Sequence, residues 1–310
     1  MGMKSRQVVV LGPTASGKSS VAMAAAQQVG NTDIVAVDAM QVYGEMNIGT
    51  AKPTVSDQEL VPHHCIDLVE PSERFTVTQF QLTARNALSE IASAGRHALI
   101  VAGTGLYLTA TIDNLVFPGE WPEVRAELEN NPDTEALFAQ LSALDPLAVS
   151  RMEPSNRRRI IRALEVCLGS GKPFSDSGPG TSSFPDNGVT QIGIRWPREV
   201  LATRIALRVD AMIDEGLISE TEALLARQPA MSATARQALG YKEMADYVEG
   251  KSSLGEAKDE LILRTRQFAV RQERWFRRDP RITWVDIVAT AAYESPVDEV
   301  CPHVVRALGA

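Results

Sequence analysis

The sequence predicts an α/β protein in which a parallel sheet is flanked by helices and interrupted by a small helical insertion. Short β-branched runs alternate with helical periodicity over the first hundred residues, which is the pattern of βαβ units. The predicted strands are apolar throughout, as expected when both faces of a sheet are covered. The pattern then becomes helical, polar and interrupted by prolines, before a later apolar run returns to the sheet.

The order of these segments defines a core and an insertion. The predicted strands are Gln7–Leu11, Asp33–Val37, His97–Ala102, Thr190–Trp196 and Ile282–Val288. The predicted helices are Lys18–Val29, Val77–Ala94, Arg198–Gln228, Ala235–Glu249 and Gly255–Arg278. The segment from Asp38 to Pro62 is polar and contains glycine and proline, so a loop is expected there. Residues 1–116 and 189–310 are assigned to the core, and residues 117–188 to the insertion.

The composition is that of a soluble globular protein. The chain has 310 residues, of which 44% are hydrophobic and 23% charged, which excludes collagen-like and wholly disordered chains. The longest stretch without Asp, Glu, Lys or Arg, His97–Ile112, has 16 residues, fewer than the ~20 of a membrane helix. The first residues lack an apolar signal region, so a cytoplasmic protein is expected. Cys65, Cys167 and Cys301 are far apart, which favours reduced, buried thiols.

The distribution of charge points to local anion binding. The net charge is −8, and residues 1–150 alone carry eight basic and 17 acidic residues, a net of −9. Basic residues cluster in segments 151–172 and 261–281, and both clusters consist mainly of arginine. Arginine binds phosphate and carboxylate through a planar fork. Two such clusters in an acidic protein favour anion binding, and salt-bridged helix faces are the alternative.

A phosphate-binding loop joins the first predicted strand to the first predicted helix. The segment Gly12-Pro13-Thr14-Ala15-Ser16-Gly17-Lys18-Ser19 matches GxxxxGK[ST] in full. Backbone N–H groups of such a loop surround a di- or triphosphate, the lysine adds a positive charge, and the Ser19 hydroxyl is placed to bind Mg²⁺. The loop alone does not decide whether the phosphate is transferred, hydrolysed or simply leaves.

Two polar residues follow strands that should end beside this loop. Asp38 ends the second predicted strand, and Thr104 follows the third between two glycines. Ligands of open α/β sheets bind beyond the carboxyl ends of the strands. Asp38 is therefore predicted to act as a general base or a Mg²⁺ ligand, with a turn cap as the alternative, and Thr104 is expected to face the same crevice.

Other candidate residues have equally plausible structural roles. Arg204 and Arg208 share one face of a predicted helix, where they either grip a diphosphate or face solvent. The adjacent His63 and His64 point in different directions, so structural or hydrogen-bonding roles are predicted. A stripe on the last long helix either follows a nucleic-acid backbone or faces solvent; it comprises Arg264, Arg271, Arg274 and Arg278, with Phe268, Trp275 and Phe276 among them.

Taken together, these motifs resemble those of the bacterial tRNA dimethylallyltransferases (tRNA isopentenyltransferases). The resemblance extends over roughly residues 7–285, and its segments IGTAKP and TRQ are highly specific. Beyond the phosphate loop it is carried by segments 38–43, 48–53, 63–67, 102–107, 159–166, 238–243 and 265–272. Ala102 replaces the usual glycine, Ser19 the usual threonine, and Val270 the usual lysine; none of these changes removes a group that the chemistry needs.

The resemblance implies a P-loop NTPase-like core and a prenyl transfer reaction. The family transfers the dimethylallyl group from dimethylallyl diphosphate to N6 of the adenine at tRNA position 37, just 3′ of the anticodon. The phosphate loop, residues 12–19, would then hold the diphosphate, with Mg²⁺ at Ser19. Asp38 matches the family's general base, Thr104 the residue that positions substrate, and Arg208 a group that stabilises the departing diphosphate.

The resemblance also implies a set of tRNA contacts and a simple assembly. The matching tRNA-contact positions are Asp38, Ala39, Met40, Gln41, Thr104, Arg125, Arg158, Arg159, Ile160, Ile161 and Arg162. The insertion would contribute the last six of these. A monomer without a membrane or an obligate protein partner is expected.

Three other functions remain as alternatives. A small-molecule kinase would use the same loop, Mg²⁺ and a strand-end aspartate, but it would not need two distant arginine clusters. A transferase that prenylates free adenine nucleotides would not need the insertion with its arginine run. A non-catalytic RNA-binding protein would not need Asp38 and Thr104 beside a complete loop.

Overall fold

The core of the protein is one six-stranded parallel sheet. The structure is a computed structural model that describes residues 5–178, 180–288 and 291–309. The strands are β1 (Gln7–Leu11), β2 (Thr32–Val37), β3 (His63–His64), β4 (His97–Ala102), β5 (Thr190–Arg195) and β6 (Ile282–Asp286). Their order across the sheet is β3-β2-β4-β1-β5-β6. The predicted α/β class is confirmed.

The helices of the core cover both faces of this sheet, and the insertion has helices of its own. In chain order they are α1 (Lys18–Val29), α2 (Val55–Leu60), α3 (Val77–Ser93), α4 (Gly105–Ile112), α5 (Pro122–Asn130), α6 (Thr134–Leu144), α7 (Pro146–Val149), α8 (Arg157–Ser170), α9 (Arg198–Asp214), α10 (Leu217–Leu225), α11 (Ala233–Arg236), α12 (Tyr241–Val248), α13 (Leu254–Phe276) and α14 (Val297–Leu308). Alternate residues of β1 enter different cores: Val9 and Leu11 pack on one face, Val8 and Val10 on the other. This explains the continuous apolar strands. Within the described part of the chain, every helix is too short or too polar to cross a membrane.

The described residues form two compact units. One unit is Asn114–Ser183, and the other contains the sheet together with the residues before 114 and after 183. Helices α5 to α8 belong to the smaller unit, which has its own core, including Leu137, Leu141, Ile160 and Leu164. The predicted boundaries of the insertion are residues 117 and 188, and those of the compact unit are residues 114 and 183.

Two of the predicted helices are each divided by a glycine. The helix predicted over Arg198–Gln228 consists of α9 and α10, which are separated at Gly216 with φ +105°. The helix predicted over Ala235–Glu249 is replaced by α11, which ends at Arg236, and α12, which begins directly after Gly240 with φ +93°. Positive φ ends an α-helix, and glycine adopts it at little cost.

Four elements of the core were not predicted, namely α2, β3, α4 and α14. Helix α2 and the short edge strand β3 lie in or next to the segment expected to be a loop. Helix α14 packs its apolar face against α1, with Val300, Val304 and Leu308 fully or almost fully buried. The predicted structural role of the β3 histidines is confirmed, since His64 Nε2 lies 2.9 Å from Asp33 Oδ2 and His63 Nδ1 lies 2.8 Å from the Val61 carbonyl oxygen.

Candidate active site

The phosphate loop connects β1 to the N-terminus of α1 and is supported from behind by the segment after β5. The Trp196 indole N–H donates to the Ser16 carbonyl oxygen at 3.0 Å, and Arg204 Nε donates to the Ala15 carbonyl oxygen at 2.8 Å. Gly17 has φ +86°, and a Cβ there would lie 2.5 Å from the Pro296 ring. The loop conformation therefore depends on glycine and on residues far away in the sequence.

Two incompletely compensated cations face the cavity beside this loop. Lys18 Nζ donates to the Pro13 carbonyl oxygen at 2.8 Å. Burial and the nearby Arg208 lower the pKa of Lys18 to about 7, and Asp38 partly opposes that shift. Burial also lowers the pKa of the Arg208 guanidinium, which makes no hydrogen bond or ion pair with any described residue. Cations that are largely removed from water and only partly compensated, here by Asp38 and Glu215, are costly, so this pair is suited to an anionic ligand.

Arg204 and Arg208 have different roles, although they share a helix face. The Arg204 guanidinium binds three carbonyl oxygens, those of Ala15, Ala292 and Glu294, and lies over the Trp196 ring at 4.2 Å. It is therefore neither a diphosphate ligand nor a solvated residue, the two roles that the sequence offered. It supports the loop, which leaves Arg208 as the arginine of this face available to a ligand.

One oxygen of the Asp38 carboxylate is hydrogen-bonded to the backbone, and the other is free at the cavity. Oδ1 accepts hydrogen bonds from the backbone N–H groups of Met40, at 2.8 Å, and Gln41, at 3.3 Å. Oδ2 has no donor among the described residues. A Cβ built on Gly103 would lie 3.6 Å from this oxygen and 3.9 Å from Lys18 Cε. The free carboxylate oxygen and the lysine therefore meet beside one glycine, and the absence of a side chain there keeps the space open.

The Thr104 hydroxyl adjoins the same turn. Its oxygen accepts a hydrogen bond from the Ala39 backbone N–H at 3.3 Å. A hydroxyl that accepts one bond still has its own hydrogen to donate. Strands β2 and β4 are neighbours, so the turns after them bring Asp38 and Thr104 together, in the arrangement expected at the carboxyl edge of the sheet.

A cavity of about 550 Å³ opens above these groups. Its polar residues include Lys18, Ser19, Asp38, Thr104 and Arg208. Its apolar residues include Met23, Val209, Met212, Leu261 and Phe268. The cavity thus combines a cationic phosphate site, a free carboxylate oxygen and an aliphatic wall, which suits a diphosphate that carries a small apolar group.

The half-buried carboxylate of Glu220 fixes the wall formed by residues 47–52. The Glu220 carboxylate accepts from the backbone N–H groups of Asn47, Ile48 and Gly49 at 3.0–3.4 Å and from the Tyr241 hydroxyl at 2.6 Å. On the opposite side, Gln41 Nε2 donates to the carbonyl oxygens of Thr50 and Ala51, both at 3.1 Å. The side chain of Gln41, predicted to contact tRNA, therefore holds this wall. Ala39 and Met40 line the cavity.

Comparison with known proteins identifies the family that has this site. A family model described as IPP transferase matches residues 41–279, and one described as isopentenyl transferase matches residues 6–70. The chain belongs to the IPP transferase family. A tRNA dimethylallyltransferase of Bifidobacterium longum is 42% identical over 290 residues, which cover 91% of this chain and 87% of the relative. Another from Geobacillus kaustophilus is 39% identical over 307 residues, with 97% of both chains covered.

Solved structures of the family agree with this fold. The full-length tRNA isopentenylpyrophosphate transferase of Bacillus halodurans is 38% identical and has a TM-score of 0.69, with 98% of this chain and 97% of that chain covered. A eukaryotic dimethylallyltransferase acting on tRNA is 25% identical with a TM-score of 0.76, covering 91% and 74% of the two chains. The predicted family is therefore confirmed.

The predicted tRNA contacts of this IPP transferase in the insertion fall into three groups. Arg158 and Arg159 are exposed at the start of α8, and their guanidinium groups have no partner among the described residues. Ile160 and Ile161 are buried in the core of the insertion, so their side chains cannot contact tRNA. Their assignment as contact residues stays a prediction, and such a contact would have to be made by the backbone.

The third group in the insertion consists of arginines that already have a partner. Arg162 pairs with the buried Glu165 at 2.9 Å and donates to two backbone carbonyl oxygens, and Arg125 lies 3.6 Å from the same carboxylate. Glu165 also accepts from the Trp121 backbone N–H at 2.9 Å. Arg125 and Arg162 therefore stabilise the insertion in this structure.

The predicted stripe on α13 is not a uniform solvated face. Arg264 pairs with the buried Glu243 at 2.6 Å, and Arg278 lies 4.2 Å from the centre of the Trp275 ring. Arg271 lies 5.9 Å from the Phe268 ring and lines the cavity, whereas Arg274 is exposed. Arg264 thus stabilises the core, whereas Arg271 and Arg274 leave positive charge at the cavity and on the surface.

Two polar residues of the site were not predicted. Glu220 holds the wall of residues 47–52, and Gln272 of α13 contacts the phosphate loop. Nothing in the sequence around Glu220 distinguishes it from the exposed acids nearby. The sequence did hold a signal for Gln272. It lies at helical spacing between Ala269 and Phe276, on the face of α13 that is buried, and residues on a buried helix face are normally apolar.

Proposed function

We propose that this protein transfers the dimethylallyl group from dimethylallyl diphosphate to N6 of adenine at position 37 of tRNA. The observation that carries the proposal is the free Asp38 Oδ2, beside the Lys18 and Arg208 cations in a cavity with an aliphatic wall. Membership of the IPP transferase family and relatives named tRNA dimethylallyltransferase support it.

The reaction we propose is a substitution at the first carbon of the prenyl group. Adenine N6 attacks this carbon, the new N–C bond forms, and the C–O bond to diphosphate breaks. Asp38 Oδ2 accepts the proton that N6 loses, as a general base. The diphosphate leaves with the electron pair of the broken bond, and the loop amides, Lys18 and Arg208 stabilise the developing charge.

Thr104 and the apolar wall would orient the two substrates. The Thr104 hydroxyl has a hydrogen left to donate beside Asp38, which suits it to hold an acceptor in place. Residues such as Val209, Met212 and Leu261 would enclose the aliphatic chain and exclude water that would otherwise hydrolyse it. The adenine has to leave its stack to reach this cavity, as in other enzymes that modify bases.

The residues present fit a Mg²⁺ ion bound with the diphosphate. The Ser19 hydroxyl lines the cavity next to Lys18 and makes no hydrogen bond among the described residues. Mg²⁺ prefers oxygen ligands and is commonly held by one or two protein groups together with substrate phosphates. When bound, it would supply further charge neutralisation for the leaving diphosphate.

The remaining features of the proposal concern tRNA and its location in the cell. Arg158 and Arg159 supply exposed charge on the insertion, and Arg271 and Arg274 supply it on α13. These cations would neutralise tRNA phosphates in a protein whose net charge is −8. We expect the protein to act as a monomer in the cytoplasm.

A direct assay tests the proposal and separates it from the alternatives. The protein is incubated with Mg²⁺, prenyl-labelled dimethylallyl diphosphate and an unmodified tRNA transcript with A37, and the digest is analysed for N6-isopentenyladenosine. The same transcript with G37 is the matched acceptor control, and AMP tests free nucleotides as acceptors. Label in AMP but not in tRNA, or transfer of γ-labelled phosphate from ATP to any acceptor, would contradict the proposal.

A further inference from the structure

We propose that Gln272 is a positioning residue that sets the spacing between the phosphate loop and the turn carrying Thr104, an inference that rests on the proposed transfer reaction. Its Oε1 accepts a hydrogen bond from the Thr14 backbone N–H at 2.8 Å. Its Nε2 donates to the Gly103 carbonyl oxygen at 2.8 Å. One amide thereby joins the loop after β1 to the turn after β4.

The orientation of this amide follows from its partners. A peptide N–H only donates and a carbonyl oxygen only accepts, so Oε1 must face Thr14 and Nε2 must face Gly103. An apolar side chain could meet neither requirement. Gln272 is 7% exposed, and the other buried residues of α13, namely Ala257, Leu261, Ala269 and Phe276, are apolar. A polar side chain is therefore retained at a core position of the helix.

Gly103 lies close to the Gln272 amide and also to the groups proposed to react. A Cβ built there would lie 3.4 Å from Gln272 Nε2, 3.6 Å from Asp38 Oδ2 and 3.9 Å from Lys18 Cε. The amide, the proposed base and the lysine of the diphosphate site are thus grouped around one glycine. It touches neither substrate in this role, and it acts by fixing the backbone segments that carry Thr104 and the phosphate loop.

This role predicts a particular kinetic signature. Transfer requires the prenyl carbon, held through its diphosphate, to lie within attacking distance of N6, and such alignment is lost with small displacements. Breaking the link should leave binding at each end of the cavity nearly intact while lowering the rate. Gln272→Met, similar in volume and without the hydrogen bonds, is expected to lower kcat at least tenfold and to change KM for dimethylallyl diphosphate less than threefold.

A second variant, Gln272→Glu, tests the role through the pH dependence of kcat, which a merely structural role would leave unchanged. In Gln272→Glu the ionised carboxylate still accepts from Thr14 but cannot donate to Gly103, whereas the protonated acid does both. Burial raises the pKa of such a carboxyl. We expect the kcat of Gln272→Glu, relative to wild type, to recover as the pH is lowered from about 8 to about 5.5, within the range over which buried carboxyls titrate.

The experiment combines these variants with Thr104→Ala and with Gln27→Met, a control in which the same change is made at an exposed position of α1. Wild type and the control should transfer equally, and Gln272→Met should bind inorganic pyrophosphate within threefold of wild type. Adding Gln272→Met to Thr104→Ala should cost less than threefold further, because coupled residues are not additive.

Several outcomes would overturn the inference. These are a kcat for Gln272→Met above half of wild type, a pH-independent ratio for Gln272→Glu, full multiplicativity with Thr104→Ala, or a large loss of pyrophosphate binding. If Gln272→Met fails to fold, the pH profile of Gln272→Glu decides the matter alone. Failure of wild type itself to modify tRNA would instead refute the proposed transfer reaction, and with it this role.

Discussion

The charge of Lys18 should make binding of dimethylallyl diphosphate depend on pH in a range where an exposed lysine would not titrate. Burial and Arg208 lower the pKa of Lys18 from 10.5 to about 7, and Asp38 opposes this only in part. In the proposed reaction the diphosphate interacts with the ammonium form of Lys18. Above pH 7, the unliganded protein must therefore take up a proton when it binds the ligand.

The magnitude follows from proton linkage. Each pH unit above the pKa of the free protein costs up to a factor of ten in affinity, about 1.4 kcal/mol, as long as bound Lys18 stays protonated. Affinity should thus fall by up to about a hundredfold between pH 7 and pH 9. For folding the sign is opposite: between pH 7 and 10.5 the unfolded chain holds the proton that the folded chain has lost, so the contribution of Lys18 to stability rises with pH.

Calorimetric titration with dimethylallyl diphosphate in two buffers of different ionisation enthalpy measures both the affinity and the proton uptake. Uptake at about pH 8.5 should approach one proton for wild type. Lys18→Arg is the control, because arginine stays charged throughout this range and its titration reports only the ionisation of the ligand. Equal pH slopes for wild type and Lys18→Arg, without proton uptake in either, would refute the reasoning.

Three further predictions follow from the site. Asp38→Asn should lower kcat roughly 10²–10⁴-fold while tRNA binding in a filter assay stays within threefold, and retention of half the activity would exclude Asp38 as the base. Arg208→Ala should lower kcat for transfer about tenfold or more, because a cation beside the leaving group is lost; unchanged kcat and KM would show that this guanidinium does not meet the diphosphate. Joint replacement of Arg158 and Arg159 by alanine should weaken tRNA binding and reduce the slope of log affinity against log salt by up to roughly 0.7–0.9 per lost phosphate contact, whereas superimposable salt titrations would place the tRNA contacts elsewhere.

The edge of the sheet that carries the site could be predicted because parallel strands end on the same side. Asp38 and Thr104 are 66 positions apart, yet each follows a strand, and β2 pairs with β4. Local patterns sufficed for that inference. The boundary between α9 and α10 was missed because the helical pattern continues across Gly216, and the positive φ of that residue depends on tertiary packing.

The role of individual arginines could not be predicted in the same way. Arg158 and Arg162 belong to one basic run, but Arg162 lies within reach of the buried Glu165 and Arg158 does not. Which side of a helix meets a buried acid is a property of the folded insertion. Helix α14 was missed for a different reason, because Pro302 lies inside it and proline normally predicts a break.

The close approach of Gly17 to the Pro296 ring links the final packing of the phosphate loop to the order of protein synthesis. The loop is made early, whereas Pro296, and helix α14 that packs on α1, follow only after nearly the whole sequence has emerged. At about 5–20 residues per second, the nascent loop spends roughly 15–60 s without this support. The phosphate loop therefore reaches the packing seen here only after Pro296 and helix α14 have been synthesised.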